Sequence, residues 1–212
     1  FGLFPDVDAD NDGVNESYSA EFVFSGISCM IVPVDPTPFD GFVATSQEVT
    51  GGILGTNPLL TDGLNALLAS NLENFPFLLE VADLDDPTYT NDDNITLNTY
   101  GGVDADGDST NNNRGVNEFL IDSESYDDNG NIVSQFPNGD IVNNLLTAGP
   151  GTIVISGIPL NNLTVAATFS ETTTPGVFEF TSTPTSAFLT ESFLVTLPAP
   201  DPFTGTLVDV LD

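Results

Sequence analysis

Hydrophobic residues fall on every second position along most of this chain. Tyr18, Ala20, Phe22 and Phe24 share one face of SYSAEFVFS, Leu163, Val165, Ala167 and Phe169 one face of NLTVAATFS, and Phe193, Val195 and Leu197 one face of SFLVTL. A period of two predicts half-buried strands. GISCMIVPV, FVATSQEV, FPFLLEV, NITLNTY, EFLIDSES, DIVNNLL, GTIVISG and GVFEFTS read the same way, most of them bounded by Gly, Pro, Asn or Asp. About ten or more short strands in one chain predict an all-β fold, a β-sandwich of jelly-roll type. One segment departs from the alternation. TDGLNALLASNLEN, residues 61–74, carries Leu64, Leu67, Leu68 and Leu72 at helical spacing behind Thr61 as N-cap, which predicts a single helix packed across one end or face of the sandwich.

The polar positions divide the chain further. Of 22 Asp, 15 fall in residues 1–16 and 81–131, whereas residues 141–200 contain none. The organisation expected is an acidic arm over 1–16, one β-sandwich domain over 17–200 with an acidic loop region at 81–131, and a tail over 201–212. PAPDP at 198–202 is a stiff linker. It detaches FTGTLVDVLD, a candidate last strand for donation to a neighbouring subunit.

Charge changes the picture most. The 212 residues hold 32 carboxylates against a single cation, Arg114, with no Lys and no His, for a formal net charge of −31. Such a balance disfavours nucleic acid and anionic lipid as partners. It also opposes compaction unless a cation from solution sits among the carboxylates. Salt adaptation would spread acid over the whole surface, and these residues are clustered. Short carboxylates among Asn and Gly on turning loops are what a hard divalent cation needs, and calcium is the expected ion.

Three clusters are candidates. In the first, Asp6, Asp8, Asp10 and Asp12 alternate ahead of Gly13, Val14 and Glu16. The run Asp8-x-Asp10-x-Asp12-Gly13-Val14-x-Glu16 resembles the calcium loops of thrombospondin type-3 repeats and the first part of EF-hand and dockerin loops. The resemblance implies side-chain ligation by Asp8, Asp10 and Asp12, a sharp turn at Gly13, the carbonyl of Val14 as a ligand, and closure by Glu16. The bidentate Glu of EF-hands is missing, with Ser19 in its place, and so are the cysteines and tandem copies of thrombospondin repeats. In the second cluster Asp104, Asp106 and Asp108 alternate, with Gly107 before the third. In the third, Asp83, Asp85, Asp86, Asp92 and Asp93 flank Pro87. SYDDNGN at 125–131 reads as an Asn-Gly hairpin turn. As a whole the chain resembles secreted β-rich bacterial proteins, which implies no activity.

The inventory argues against catalysis. Without His there is no Ser-His-Asp or Cys-His device, and without Lys no Schiff base or P-loop. Paired carboxylates for glycoside hydrolysis remain, but there is no Trp to stack a sugar. The protein is therefore expected not to be an enzyme. Cys29 is a lone, buried thiol, and no apolar run reaches membrane-spanning length. Phe1 in place of Met makes the chain a processed product or fragment whose signal peptide, if any, has gone. Asp-rich sites of modest affinity fill at extracellular calcium, so secretion or the cell surface is the expected location. The function expected is a calcium-stabilised structural subunit that self-assembles into a filament, sheath or surface layer, or serves as an adhesive stalk. Calcium bridges and strand donation would join copies. The alternative is a calcium-dependent carbohydrate-binding or adhesion module with Tyr18, Tyr89, Tyr100 and Tyr126 as stacking platforms.

Overall fold

A computed structural model describes residues 3–8, 11–32, 39–74, 76–105, 107–108, 117–155, 158–199 and 203–211. Ten strands dominate: β1 (Ser17–Val32), β2 (Phe39–Gly51), β3 (Phe77–Ala82), β4 (Asn91–Asp104), β5 (Glu118–Ile121), β6 (Gln135–Val142), β7 (Leu145–Ile155), β8 (Ile158–Glu171), β9 (Phe178–Ser182) and β10 (Thr185–Thr190). Helix α1 (Pro58–Asn74) joins β2 to β3, and the short helices α2 (Glu191–Leu194) and α3 (Leu207–Leu211) end the chain. Among the described residues no helix is long and apolar enough to cross a membrane.

The all-β class is as expected; the sandwich is not. Strands β1, β2, β3, β4, β6, β7, β8 and β9 pair antiparallel in chain order, and β9 returns to β1 through Ser25↔Thr181, Gly26↔Phe180 and Ile27↔Glu179. The result is a closed eight-stranded barrel rather than two facing sheets. Sheet twist accumulates from strand to strand, and bulges sharpen it until the last strand meets the first. One such register shift lies between Ser25 and Gly26, where β9 arrives. At Gly26 any Cβ would run into the Phe180 ring and the Val43 carbonyl, so a larger residue would push β9 away from the seam.

The same sheet is used on both faces. Phe42, Leu79, Leu97, Phe136, Leu146, Phe169 and Phe180 fill the barrel. Among the described residues the interior is packed rather than hollow, and the residual cavity there has an apolar lining. On the outer face, β5 bridges β1 (parallel) and β4 (antiparallel), completing a smaller circuit of five strands. Cys29, Ile31, Val43, Leu78, Tyr100, Phe119 and Ile121 pack inside it.

A third core closes the end of the barrel where β1 begins. Tyr18 and Ala20 of β1, Val49 of β2 and Leu189 of β10 meet Leu60 and Leu64 of α1, Leu194 of α2, and Leu207 and Leu211 of α3. The helix expected at 61–74 starts earlier. Pro58 occupies its first position, and the Asn57 side chain accepts from the Leu59 amide (3.1 Å), the role assigned to Thr61. Thr61 lies one turn inside and donates to the Asn57 carbonyl at 2.9 Å. Asn65 fastens the helix to β2 by accepting from the Val49 amide at 2.7 Å.

Two predicted strands are helices instead. SFLVTL belongs to α2 and the turn after it, and FTGTLVDVLD contains α3. Leu207 and Leu211 are 1% and 0% exposed, so the tail is an internal part of the helical cap and not a strand free for donation. DIVNNLL is likewise not one strand. Asn143 and Asn144, both at positive φ, form the two-residue turn between β6 and β7.

Candidate cation-binding site

The N-terminal arm folds back on the start of β1. Val7 bridges Ser17, with Val7 N–H donating to the Ser17 carbonyl (3.0 Å) and Ser17 N–H to the Val7 carbonyl (3.1 Å), so this pairing closes the base of a loop to which Asp8 and the described residues 11–16 belong. Within that loop carboxylate oxygens of Asp8, Asp12 and Glu16 lie within 4.8 Å of one another. Oxygens so spaced can all reach one ion at the roughly 2.3–2.6 Å of calcium ligands. Asp8 is held by the backbone it faces, accepting from Asp12 N–H at 3.1 Å and Gly13 N–H at 2.8 Å. Asp12 accepts from Val14 N–H at 2.8 Å. Each carboxylate oxygen has two lone pairs, so one amide contact leaves room for an ion. Gly13 has φ 93°, and a Cβ there would meet nothing within 4 Å; backbone conformation, not crowding, calls for glycine at the turn. Val14 is exposed, and Asp10 lies outside the described residues.

Asp6 does not join the cluster. Its carboxylate accepts from Ser19 N–H at 2.7 Å and from the Ser19 hydroxyl at 2.5 Å, while the Ser19 hydroxyl oxygen accepts from Ile53 N–H at 2.9 Å. That chain ties the base of the loop to the connection between β2 and α1. Ser19 stands where an EF-hand carries its bidentate Glu, and no sequence signal marked it as a binding partner of Asp6. A second tie runs from Glu191 N–H of α2 to the Glu16 carbonyl at 3.4 Å, and Leu3 packs on the helical cap. The acidic loop therefore sits at the junction of arm, β1 and the capped end of the barrel.

The other two clusters are not assembled in this way among the described residues. Asp86 accepts from Thr88 N–H, the Thr88 hydroxyl, Thr90 N–H and Asn91 N–H. These bonds, the Thr88 hydroxyl first, hold its carboxyl down at about 2. Asp92 accepts from the amides of Asp85 and Asp86 at 2.6 and 2.7 Å. Both carboxylates thus serve as turn caps joining β3 to β4, and Asp83, with φ 64°, is a turn residue in the same segment. Asp85 and Asp93 flank that turn without entering any convergent group, and neither do Asp104 and Asp108; Asp106 and Arg114 are outside the described residues. SYDDNGN forms the expected hairpin turn, with Asp127 accepting from the amides of Asn129 and Asn131.

The sugar platforms proposed from sequence are largely absent from the surface. Tyr18, Tyr89 and Tyr100 are buried in the three cores, and Tyr100 donates to Glu80. Cys29 is buried as expected, and burial, with Asp40 adding, pushes its thiol up to about 12, which removes the reactive thiolate at neutral pH. No protein-family model matches the chain, and no curated protein or solved structure is significantly similar to it.

Proposed function

We propose that the protein is a calcium-stabilised structural subunit that works outside the cell and assembles with copies of itself into a filament, sheath or layer. The observation that carries this reading is the convergence of Asp8, Asp12 and Glu16 in a chain whose net charge is −31. Three carboxylates gathered on one loop repel one another unless a cation joins them, and the chain's single basic side chain lies elsewhere in the sequence. The loop is tied through Asp6, Ser19 and Glu191 to the helical cap, so an ion bound there would stiffen one whole end of the barrel. A near-total lack of Lys and Arg leaves few sites for trypsin-like proteases, which suits a long-lived exposed polymer. The filled barrel and the buried tyrosines give a carbohydrate-binding module no stacking surface at those positions.

Electron microscopy of the purified protein in millimolar calcium, with and without chelator, tests this directly. The expected result is ordered polymer that disperses on chelation. Protein that remains monomeric in calcium at any concentration overturns the reading.

A further inference from the structure

The turn between β3 and β4 contains a peptide bond with its own chemistry. The chain has Asp–Pro bonds at 35–36, 86–87 and 201–202, of which Asp86–Pro87 lies among the described residues. An aspartate carboxylate can reach the carbonyl carbon of its own residue by closing a small ring, an intramolecular attack that needs no second side chain. Before proline the leaving nitrogen belongs to a tertiary amide without an N–H, and it is more basic than an ordinary peptide nitrogen. Acid therefore cleaves Asp–Pro ahead of other peptide linkages.

At Asp86 one half of that reaction is in place. Its carbonyl oxygen accepts from Tyr89 N–H at 3.0 Å, a donor aimed where negative charge would develop. The other half, the nucleophile, is held elsewhere. Carboxylate Oδ1 accepts from Thr88 N–H at 2.9 Å and from the Thr88 hydroxyl at 2.7 Å, and Oδ2 from Thr90 N–H at 3.1 Å and Asn91 N–H at 3.0 Å. All four donors belong to residues beyond the scissile bond, so the carboxylate must leave them before it can attack its own carbonyl. The turn is also pinned to the barrel core. The Tyr89 ring is buried, with its centre 4.7 Å from that of Phe169 and 4.9 Å from that of Phe178.

We infer that Asp86–Pro87 is a latent self-cleavage site, kept closed by the hydrogen bonds that hold its carboxylate. When they open, an Asp86 carboxylate oxygen bonds to the Asp86 carbonyl carbon and the C–N bond to Pro87 breaks. The proline nitrogen leaves with that bond's electron pair and takes a proton from the acidic solvent. A cyclic anhydride remains on Asp86, and one water molecule opens it to two carboxyl groups. The net change is hydrolysis of one peptide bond. Strands β3 and β4 pair from Phe77↔Gly101 to Ala82↔Thr96, so the cut falls outside their ladder and both pieces keep their places in the barrel wall. This inference does not depend on the self-assembly reading.

The test holds the intact protein in mild acid, separates the products under denaturing conditions and identifies the cut by mass spectrometry, with circular dichroism at the same pH showing that each protein is folded. Thr88→Ala removes one donor to Oδ1 and should speed cleavage between residues 86 and 87 by about 10-fold, the weight of one hydrogen bond to a charged group. Thr88→Ser restores that donor and should return the rate to the wild-type value. Asp86→Ala removes the nucleophile and should abolish this cut. Wild type unfolded in urea at the same pH should cleave here faster than folded wild type, which tests the closure without any variant. A folded Thr88→Ala that cleaves at the wild-type rate, an Asp86→Ala that still breaks at this bond, or a bond no faster in urea overturns the inference.

Discussion

Asp6 and Asp12 are the first and last of four alternating aspartates and do different chemistry: one staples the arm to Ser19, the other gathers with Asp8 and Glu16. Period-two spacing puts them on the same side of an extended chain, but the Val7–Ser17 pairing at the base of the loop leaves Asp6 outside and Asp12 inside. This yields a paired prediction. Asp12→Ala should remove one bound calcium per chain in native mass spectrometry. Asp6→Ala should leave that ion count unchanged yet destabilise the fold by about 1–3 kcal/mol, because it strips the acceptor from two donors on Ser19. Equal ion loss in both variants would mean that Asp6 is a ligand after all. The loop was legible because carboxylate spacing and a following glycine are local signals. The fate of Asp86 and Asp92 was not. Amide bonds turn these two carboxylates toward their own turn and not toward a common centre, and that direction is set by turn geometry that composition does not encode.

Among the elements, the long ones followed their pattern and the short ones did not. β1 and β8 alternate over enough residues to exclude any other period, and α1 is long enough to show its leucine stripe. LVDVL and ESFL are five and four residues, over which periods of 2 and 3.6 place apolar side chains almost identically. Context decided between them: α3 turns Leu207, Val208 and Leu211 together into the cap. Thr206 and Asp209 start that turn, with the Asp209 carboxylate accepting from both the amide and the hydroxyl of Thr206. Leu211→Ala should therefore cost about 2–5 kcal/mol, as for other fully buried leucines. Chemical denaturation measures it, and a loss below about 0.5 kcal/mol would show that the tail does not anchor the cap.

For the molecule as a whole, alternation indicates which face of each strand is buried but carries no term for curvature, so a sandwich and a closed barrel of the same strands look alike until β9 meets β1 at Gly26. Closure leaves few edges and places the acidic loop against the capped end. Calcium should therefore act on global stability and not merely on a loose arm. Binding to the native state adds RT ln(1 + [L]/Kd), about 2.7 kcal/mol with calcium at 100 times its Kd. In a domain of this size each kcal/mol moves the melting temperature by about 2–4 °C, so chelation should lower it by about 5–10 °C. Sodium chloride at matched ionic strength should restore little. Its screening length, about 8 Å at physiological strength, exceeds the 4.8 Å within which the Asp8, Asp12 and Glu16 oxygens gather. A divalent ion among them neutralises charge that diffuse monovalent ions leave almost unscreened. Full recovery in sodium chloride would instead place the stabilisation in the diffuse surface charge, as salt adaptation requires, and would remove the loop from the account.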